Sequence, residues 1–318
     1  MVATEQVVRI LEMPWFGDTE IALDFPPSWE VECCEMPGER APKLSPAQVR
    51  AAFGHPIGTP PLRELARGRK RVAILFDDMA RGTPTAEMAP YVLGELAEAG
   101  IPDSAIRFIA ALGTHGAMRR WDFVKKLGED VVQRFPVYNH NPFENCVDVG
   151  TTSRGTKVHL NGEVMSCDLK IALGGIVPHP TAGFGGGSKL LCPGVASADT
   201  CYANHHDVGG RGRPTATSPL GDLRPGVGRG LVEGNPVRED MEEIARMAGL
   251  DLIVNCVMNL RREMVGLFVG DVVAAHRAGC ALGRQVYATR RPSPADVVVA
   301  NAYQKANEAL IVVGLATD

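Results

Sequence analysis

Four short segments of this 318-residue chain gather the residue types that do chemistry. The first is Asp77-Asp78-Met79-Ala80-Arg81-Gly82-Thr83-Pro84. A turn opening onto a helix N-terminus favours anions, and Arg81 offers a two-pronged donor for a carboxylate or phosphate. The plainer alternative is a turn salt bridge between Asp78 and Arg81. In Gly113-Thr114-His115-Gly116, a glycine-flanked imidazole is able to act as general acid or base. A surface histidine is the alternative there, and it is the role assigned to His55, His140 and His159. The third segment runs from Pro178 to Lys189. Its glycines, Gly185, Gly186 and Gly187, let a backbone approach a phosphate, with Ser188 and Lys189 beside it. It is not a P-loop, because Ser188 precedes the lysine and Leu190 follows it, leaving no hydroxyl placed for magnesium. A reactive lysine near a phosphate-bearing cofactor stays open. The fourth is Asn204-His205-His206. Neighbouring histidines point in different directions, so at most one ligates a given metal, and no HExxH-type cluster completes a zinc site. A metal held mostly by non-protein donors needs only one. Cys201, four residues before His205, reads first as a small core residue and second as a thiolate ligand.

These segments need strands and helices to hold them. The apolar run Arg71–Phe76 reads as a buried strand. Thr83 with Pro84 then starts a helix from about Pro84 to Ala99, which Gly100 ends. Ile106–Ala111 is the next strand, so strand, helix and strand imply parallel pairing through a right-handed crossover. Further strands are expected at Leu169–Leu173, Leu252–Val257 and Met264–Val269. Further helices are expected at Met118–Phe135, at Pro236–Ala248 capped by Asn235, and at Val272–Ala288 capped by Asp271. The stretch between His206 and Asn235, rich in Gly, Pro and Arg, is a long loop. Most of the chemical segments lie at the ends of predicted strands, where open parallel sheets tend to bind ligands.

The fold class is therefore α/β, with a parallel-sheet-containing N-terminal domain over residues 1–289. Arg290-Arg291-Pro292-Ser293-Pro294 reads as a linker, and Asp296–Ala300 as the first strand of a second α/β domain within 290–318. So short a tail either begins a truncated domain or packs back on the first.

With 45% apolar and 22% charged residues, the chain can bury a full core. A net charge of -4 and a pI near 6.1 give no reason to expect nucleic acid or an anionic membrane as partner. The N-terminus lacks a basic stretch followed by an apolar one, and no apolar run is long enough to span a bilayer, so a cytoplasmic location is expected. Eight scattered cysteines without a CxxC pair read as reduced.

Taken together, the order and spacing of these pieces resemble the lactate racemase family of nickel-pincer-nucleotide enzymes. The likeness rests on Asp-Asp-x-x-Arg-x-Thr-Pro at 77–84, Gly-Thr-His at 113–115, Pro-His-x-x-Ala-Gly-Phe-x-Gly-Gly-x-Lys at 178–189 and Asn-His at 204–205. It continues through Gly234–Met241 and Gly270–Gly279, covering about residues 65 to 305. The resemblance implies a two-domain enzyme with its site in the interdomain cleft. Lys189 would carry the pyridinium-3-thioamide-5-thiocarboxylic acid mononucleotide through a thioamide, with Thr83, Gly186, Gly187 and Ser188 contributing to the cofactor site and His205 ligating nickel. His115 and His179 would be the acid/base pair, and Arg81 with Asp78 would orient the carboxylate of a 2-hydroxy acid. The reaction implied is racemisation or epimerisation by reversible hydride transfer, and enzymes of cofactor maturation are implied partners.

Two departures shape the substrate expectation. Ala80 and Gly82 stand where the family often has Thr and Pro. The stretch from Ala302 to Gly314 lacks the family's substrate-contacting Gln and Lys at their spacing, and offers Tyr303, Gln304, Lys305, Asn307 and Glu308 instead. Lys305 is the substrate-binding candidate among them. A 2-hydroxy acid bulkier or more polar than lactate is expected. The alternatives are a catalytically silent cofactor- or metal-binding homologue and a zinc hydrolase.

Overall fold

The structure, a computed structural model, describes residues 7–12, 15, 17, 19–210, 223–290 and 293–301. A hairpin of β1 (Val7–Leu11) and β2 (Glu20–Asp24) precedes α1 (Pro46–Gly54) and α2 (Leu62–Leu65). Where sequence reasoning sees an irregular N-terminus, these elements exist because of local signals. Ser45 forms a capping box with Gln48, and a proline opens α1.

The alternation that follows is strand β3 (Val72–Phe76), helix α3 (Thr85–Glu98), strand β4 (Ile106–Ala110), helices α4 (Arg120–Leu127) and α5 (Glu129–Arg134), and strand β5 (Val137–Asn139). The single helix expected over Met118–Phe135 is broken at Gly128, whose φ of 89° no helix accepts. Strands β6 (Cys146–Thr151) and β7 (Lys157–Asn161) pair as a hairpin and lead through α6 (Gly162–Met165) to β8 (Leu169–Gly175). A two-residue hairpin, β9 (Pro178–His179) with β10 (Gly183–Phe184), precedes α7 (Ala198–Tyr202) and a π-helix at Ala203–Val208. Helix α8 (Pro236–Ala248), strands β11 (Leu252–Met258) and β12 (Met264–Gly270), and helix α9 (Ala274–Tyr287) complete the described elements.

Six of these strands form one sheet in the order β12-β11-β8-β3-β4-β5, and all adjacent pairs are parallel except β11 with β12. The fold is α/β. Alternate residues of β3 supply two cores: Val72, Ile74 and Phe76 pack with Met88, Val92 and Leu127 on one face. Ala73 and Leu75 pack with Leu191, Val195 and Ile244 on the other.

Strand order is what matters for function. From β3 the chain moves outward to β4 and β5, then returns to lay β8 along the other side of β3 before continuing to β11. The connections after β3 and β8 thus diverge at their carboxyl ends, a switch point that leaves a crevice in open parallel sheets.

Other local expectations are corrected. Thr83 does not cap α3, because its hydroxyl turns inward to Asp77. Asp271 does accept from the amides of Val273 and Ala274, although α9 begins only at Ala274. Among the described residues, no strand forms at 296–300, where Val297, Val298 and Val299 are exposed. Residues 211–222, within the expected loop, and Lys305 lie outside the described residues. Among the described residues, no helix is long and apolar enough to cross a membrane.

Candidate functional site

A cavity of about 490 Å³ opens at the switch point, and Asp78, Arg81, His115, His179, Lys189 and His205 all line it. The four segments singled out above therefore meet in one place.

The Asp78 turn begins as β3 ends. Asp78 Oδ1 accepts from the Ala80 amide at 3.0 Å, and its carbonyl accepts from the Arg81 amide at 3.1 Å. Its Oδ2 lies 2.5 Å from His115 Nδ1. Burial pushes the Asp78 carboxyl up, but the His115 hydrogen bond and the charges of Arg81 and Lys126 outweigh it and hold the group well below the usual carboxylate range. Asp78 therefore stays ionised and fixes the His115 ring. The His115 turn is anchored across the cavity, since the Gly113 amide donates to Gly194 O at 2.8 Å.

Beneath this turn lies a residue that the sequence reading missed. Lys126, on α4, has no exposed side-chain surface and sits 2.7 Å from Asp77 Oδ1. It also donates to Arg81 O at 2.7 Å, so one ammonium ties both ends of the turn. Thr83 belongs to this buried layer, bonded to Asp77 Oδ2 at 2.5 Å, and does not line the cavity.

After β8, His179 sits in the β9–β10 hairpin opposite Gly183. Its Nδ1 accepts from the amides of Thr181 at 3.3 Å and Ala182 at 3.2 Å. Burial, with the positive charges of Lys189 and Arg81, lowers the His179 pKa well below its usual value, so the ring is neutral. Its centroid lies 6.1 Å from that of His205, with the planes 89° apart.

The glycine-rich loop is held from behind. Arg238, fully buried, donates to the carbonyls of Ala182, Phe184 and Gly186 and to Ser188 Oγ. Asn255 Oδ1 accepts from the Gly187 amide at 2.6 Å, and His276 Nε2 donates to Gly185 O at 2.8 Å. A Cβ on Gly186 would fall 2.6 Å from Asn255 Oδ1, and one on Gly187 would fall 2.9 Å from the His276 ring. Both glycines also have positive φ. Gly186 lines the cavity, whereas Gly187 and Ser188 lie behind its wall. Gly186 and Gly187 thus make room for the side chains that support the loop.

Lys189 projects from this loop, and burial together with Arg81 and Arg238 pulls its amine down to about 7. Near neutral pH a large share of it is an unprotonated nucleophile.

His205 lies on the π-helix, and the neighbouring Asn204 is anchored through Nδ2 to Asp240 Oδ2 at 2.8 Å and to Val237 O at 3.2 Å. A π-turn re-aims side chains, and such turns recur at functional sites. His206 points elsewhere, stacked on Tyr202 with centroids 4.5 Å apart and bonded to Asp207. Cys201 lines the cavity, but burial pushes its thiol up to about 12, so it is not a thiolate at neutral pH. His140 is not a surface residue: it is buried, donating to Ala196 O at 2.8 Å and accepting from Asn161. Among the described residues, no three His, Cys, Asp or Glu side chains cluster closely enough to hold a metal by themselves.

Arg238, Asn255, His276 and Lys126 were not singled out from sequence. The only signal for Arg238 was its place in Gly234–Met241, and polar residues inside helix or strand patterns carry no mark of burial.

Comparison with known proteins gives a consistent result. The family model described as the lactate racemase N-terminal domain matches residues 16–215. The chain is 32% identical over 253 residues to lactate racemase of Thermoanaerobacterium thermosaccharolyticum, covering 79% of this chain and 56% of the relative. It is 33% identical over 243 residues to that of Lactiplantibacillus plantarum, covering 75% of this chain and 54% of the relative. The chain thus spans about half the length of the curated relatives it matches. The solved apoprotein of the Thermoanaerobacterium enzyme superposes with a TM-score of 0.73 at 28% identity, covering 89% of this chain and 63% of that one. A Thermotoga maritima protein shares the fold, with a TM-score of 0.55 at 24% identity over 71% of this chain and 57% of that one.

Proposed function

The chain belongs to the lactate racemase family, and from that premise we propose that its cavity binds a nickel-pincer mononucleotide and serves the racemisation or epimerisation of a 2-hydroxy acid. The observation that carries this reading is the convergence of Lys189, His205, His115, His179 and the Asp78–Arg81 turn on one cavity.

The residues suit such a group. Lys189 offers an amine near neutrality for a thioamide link. His205, which lines the cavity, would offer one imidazole to the metal that such a group carries. A volume of about 490 Å³ lies within the range of small-molecule sites. When bound, the group supplies an acceptor for the hydride leaving the hydroxyl-bearing carbon, which avoids forming a carbanion beside a carboxylate.

The chain's own residues do the rest. Arg81 pairs with the substrate carboxylate, its backbone fixed by Lys126. Asp78 orients His115 so that the ring takes the hydroxyl proton and becomes a cation opposite a carboxylate. His179 faces the same space from the β9–β10 hairpin. A substrate more polar than lactate is part of this reading and rests on Tyr303 to Glu308 of the sequence alone. Cofactor-maturation enzymes are the partners it requires. All eight cysteines are free, which supports a reducing, cytoplasmic setting.

The test is nickel content after expression with the maturation enzymes. His205→Ala should lose the metal and His206→Ala should keep it; equal content in both would overturn the assignment. Nickel retained without turnover of any 2-hydroxy acid would support a binding-only homologue instead.

A further inference from the structure

Helix α8 packs against both the turn Gly187–Leu190, which carries Lys189, and the π-helix Ala203–Val208, which carries His205. Residues two apart on an α-helix differ by about 200° in direction, so Arg238 and Asp240 leave α8 on opposite sides. Both are fully buried. Arg238 serves the lysine segment. Its guanidinium donates to the carbonyls of Ala182 and Gly186, each at 3.1 Å, to that of Phe184, and to Ser188 Oγ at 3.3 Å. The Lys189 amide donates to the same Gly186 carbonyl at 3.2 Å, so one oxygen joins the lysine backbone to Arg238.

Asp240 serves the histidine segment. Its Oδ2 accepts from Asn204 Nδ2 at 2.8 Å, and the same nitrogen donates to Val237 O, also on α8, at 3.2 Å. The carboxyl is braced in turn, since Thr152 Oγ1 donates to Oδ1 at 2.6 Å and Thr156 Oγ1 to Oδ2 at 2.9 Å. Asn204 directly precedes His205, and its carbonyl accepts from the Gly209 amide at 3.2 Å. Its side chain therefore ties the π-turn to α8. Val237 and Met241 of α8 join Ala182 and Val208 in one apolar cluster, which links the two segments through the same helix.

We propose that Arg238 and Asp240 are a positioning pair, and that α8 is the common support setting the span between the Lys189 amine and the His205 imidazole. This rests on the function proposed above, in which one ligand is held at both points, by a covalent link and by a metal bond. Such a ligand fits only if both points are right at once. Two anchors on one helix keep their spacing where two separately supported loops would not, and a shift of about 1 Å is enough to spoil a site of this kind. Neither residue need touch the ligand for this role.

The support is measurable without the ligand, by hydrogen–deuterium exchange of the whole 318-residue chain. Losing buried hydrogen bonds to a charged group should speed local opening by about tenfold or more. Asp240→Leu should do so for the amides of residues 203–210 and leave residues 182–189 at the parental rate, and Arg238→Met should do the reverse. Asp240→Asn, which can still accept from Asn204 Nδ2, should restore the parental rate. Where a variant does not fold, Asn204→Ala and Arg238→Lys weaken the same two ties. Equal loosening of both segments in each variant, as general destabilisation would give, or no loosening in either, would overturn the proposal. In protein made with the maturation enzymes, Asp240→Leu should keep the mononucleotide adduct by intact mass and lose nickel, whereas Arg238→Met should lose both. Full nickel in the first or full adduct in the second would also overturn it. A parent chain with neither adduct nor nickel would refute the function, and the exchange pattern would still decide whether α8 holds the two segments.

Discussion

Replacing Lys126 by methionine tests whether the turn from Asp77 to Arg81 is built on a buried charge. The side chain is fully enclosed; its ammonium lies 2.7 Å from Asp77 Oδ1, donates to Arg81 O, and sits 5.1 Å from the Trp15 ring centroid. Methionine keeps most of the volume and removes the charge. Asp77 would keep the Gly175 amide and Thr83 hydroxyl on Oδ2 but lose the cation on Oδ1. Removing one partner of a buried pair costs about 3–5 kcal/mol, because the other charge is left uncompensated. That is a large part of a stability of about 5–15 kcal/mol. Adding Asp77→Asn removes the stranded charge, and the two changes should couple by about 1–3 kcal/mol, leaving the double variant more stable than Lys126→Met alone. Denaturant unfolding at neutral pH reads both, with the slope unchanged if the fold is kept. A cost below about 1 kcal/mol, or a double variant no more stable than the single, would show that the ammonium is not compensating Asp77.

Two further predictions concern Lys189. Its folded pKa lies at about 7 against 10.5 unfolded, so between those values the unfolded chain binds a proton that the folded chain does not, and stability rises with pH. Lys189→Met should therefore be more stable than the parent at and below neutral pH, with the gain vanishing above about 10.5; a gain independent of pH would refute this. In protein loaded by the maturation enzymes, intact mass should show a mononucleotide-sized adduct that Lys189→Ala abolishes, and an adduct surviving that substitution would place the link elsewhere.

Much of the sheet was legible because β3, β4, β8 and β11 are almost wholly buried, and buried strands read as unbroken apolar runs. Helix α8 was legible from its Asn235 cap and leading proline. The hairpins β1–β2 and β6–β7 were not: β1, β2 and β6 are mostly exposed or half-buried, and β7 buries only the two alternating apolar residues Val158 and Leu160, too short a pattern to announce a strand. Asp296–Ala300 shows the converse, a β-rich sequence that pairs with no strand among the described residues. The site candidates stood out because glycine, histidine and arginine after predicted strands are unusual combinations. Their supports did not, because Lys126 and Arg238 sit in charge-rich helices and nothing local marks which charge is buried. The partner of Lys126, Asp77, lies 49 residues earlier, and α8 buries Asp240 and Glu242 along with Arg238 while leaving Glu239 and Arg246 less enclosed.

Strand order and charge together explain why this crevice suits anions. The loops after β3 and β8 deliver Arg81 and Lys189 to one cavity, and α8 places Arg238 behind it. Asp77 and Asp78 are the acids that line it, and Lys126 and His115 already engage them. The charges of Arg81 and Arg238 add to burial in lowering both Lys189 and His179. An anionic ligand would relieve that repulsion. In the function proposed above, the same field would favour the Lys189 amine as a nucleophile toward a mononucleotide, and once that lysine was spent in a neutral link Arg81 would remain for a substrate carboxylate. Covalent attachment and substrate binding would then be successive uses of the cations that this strand order brings together.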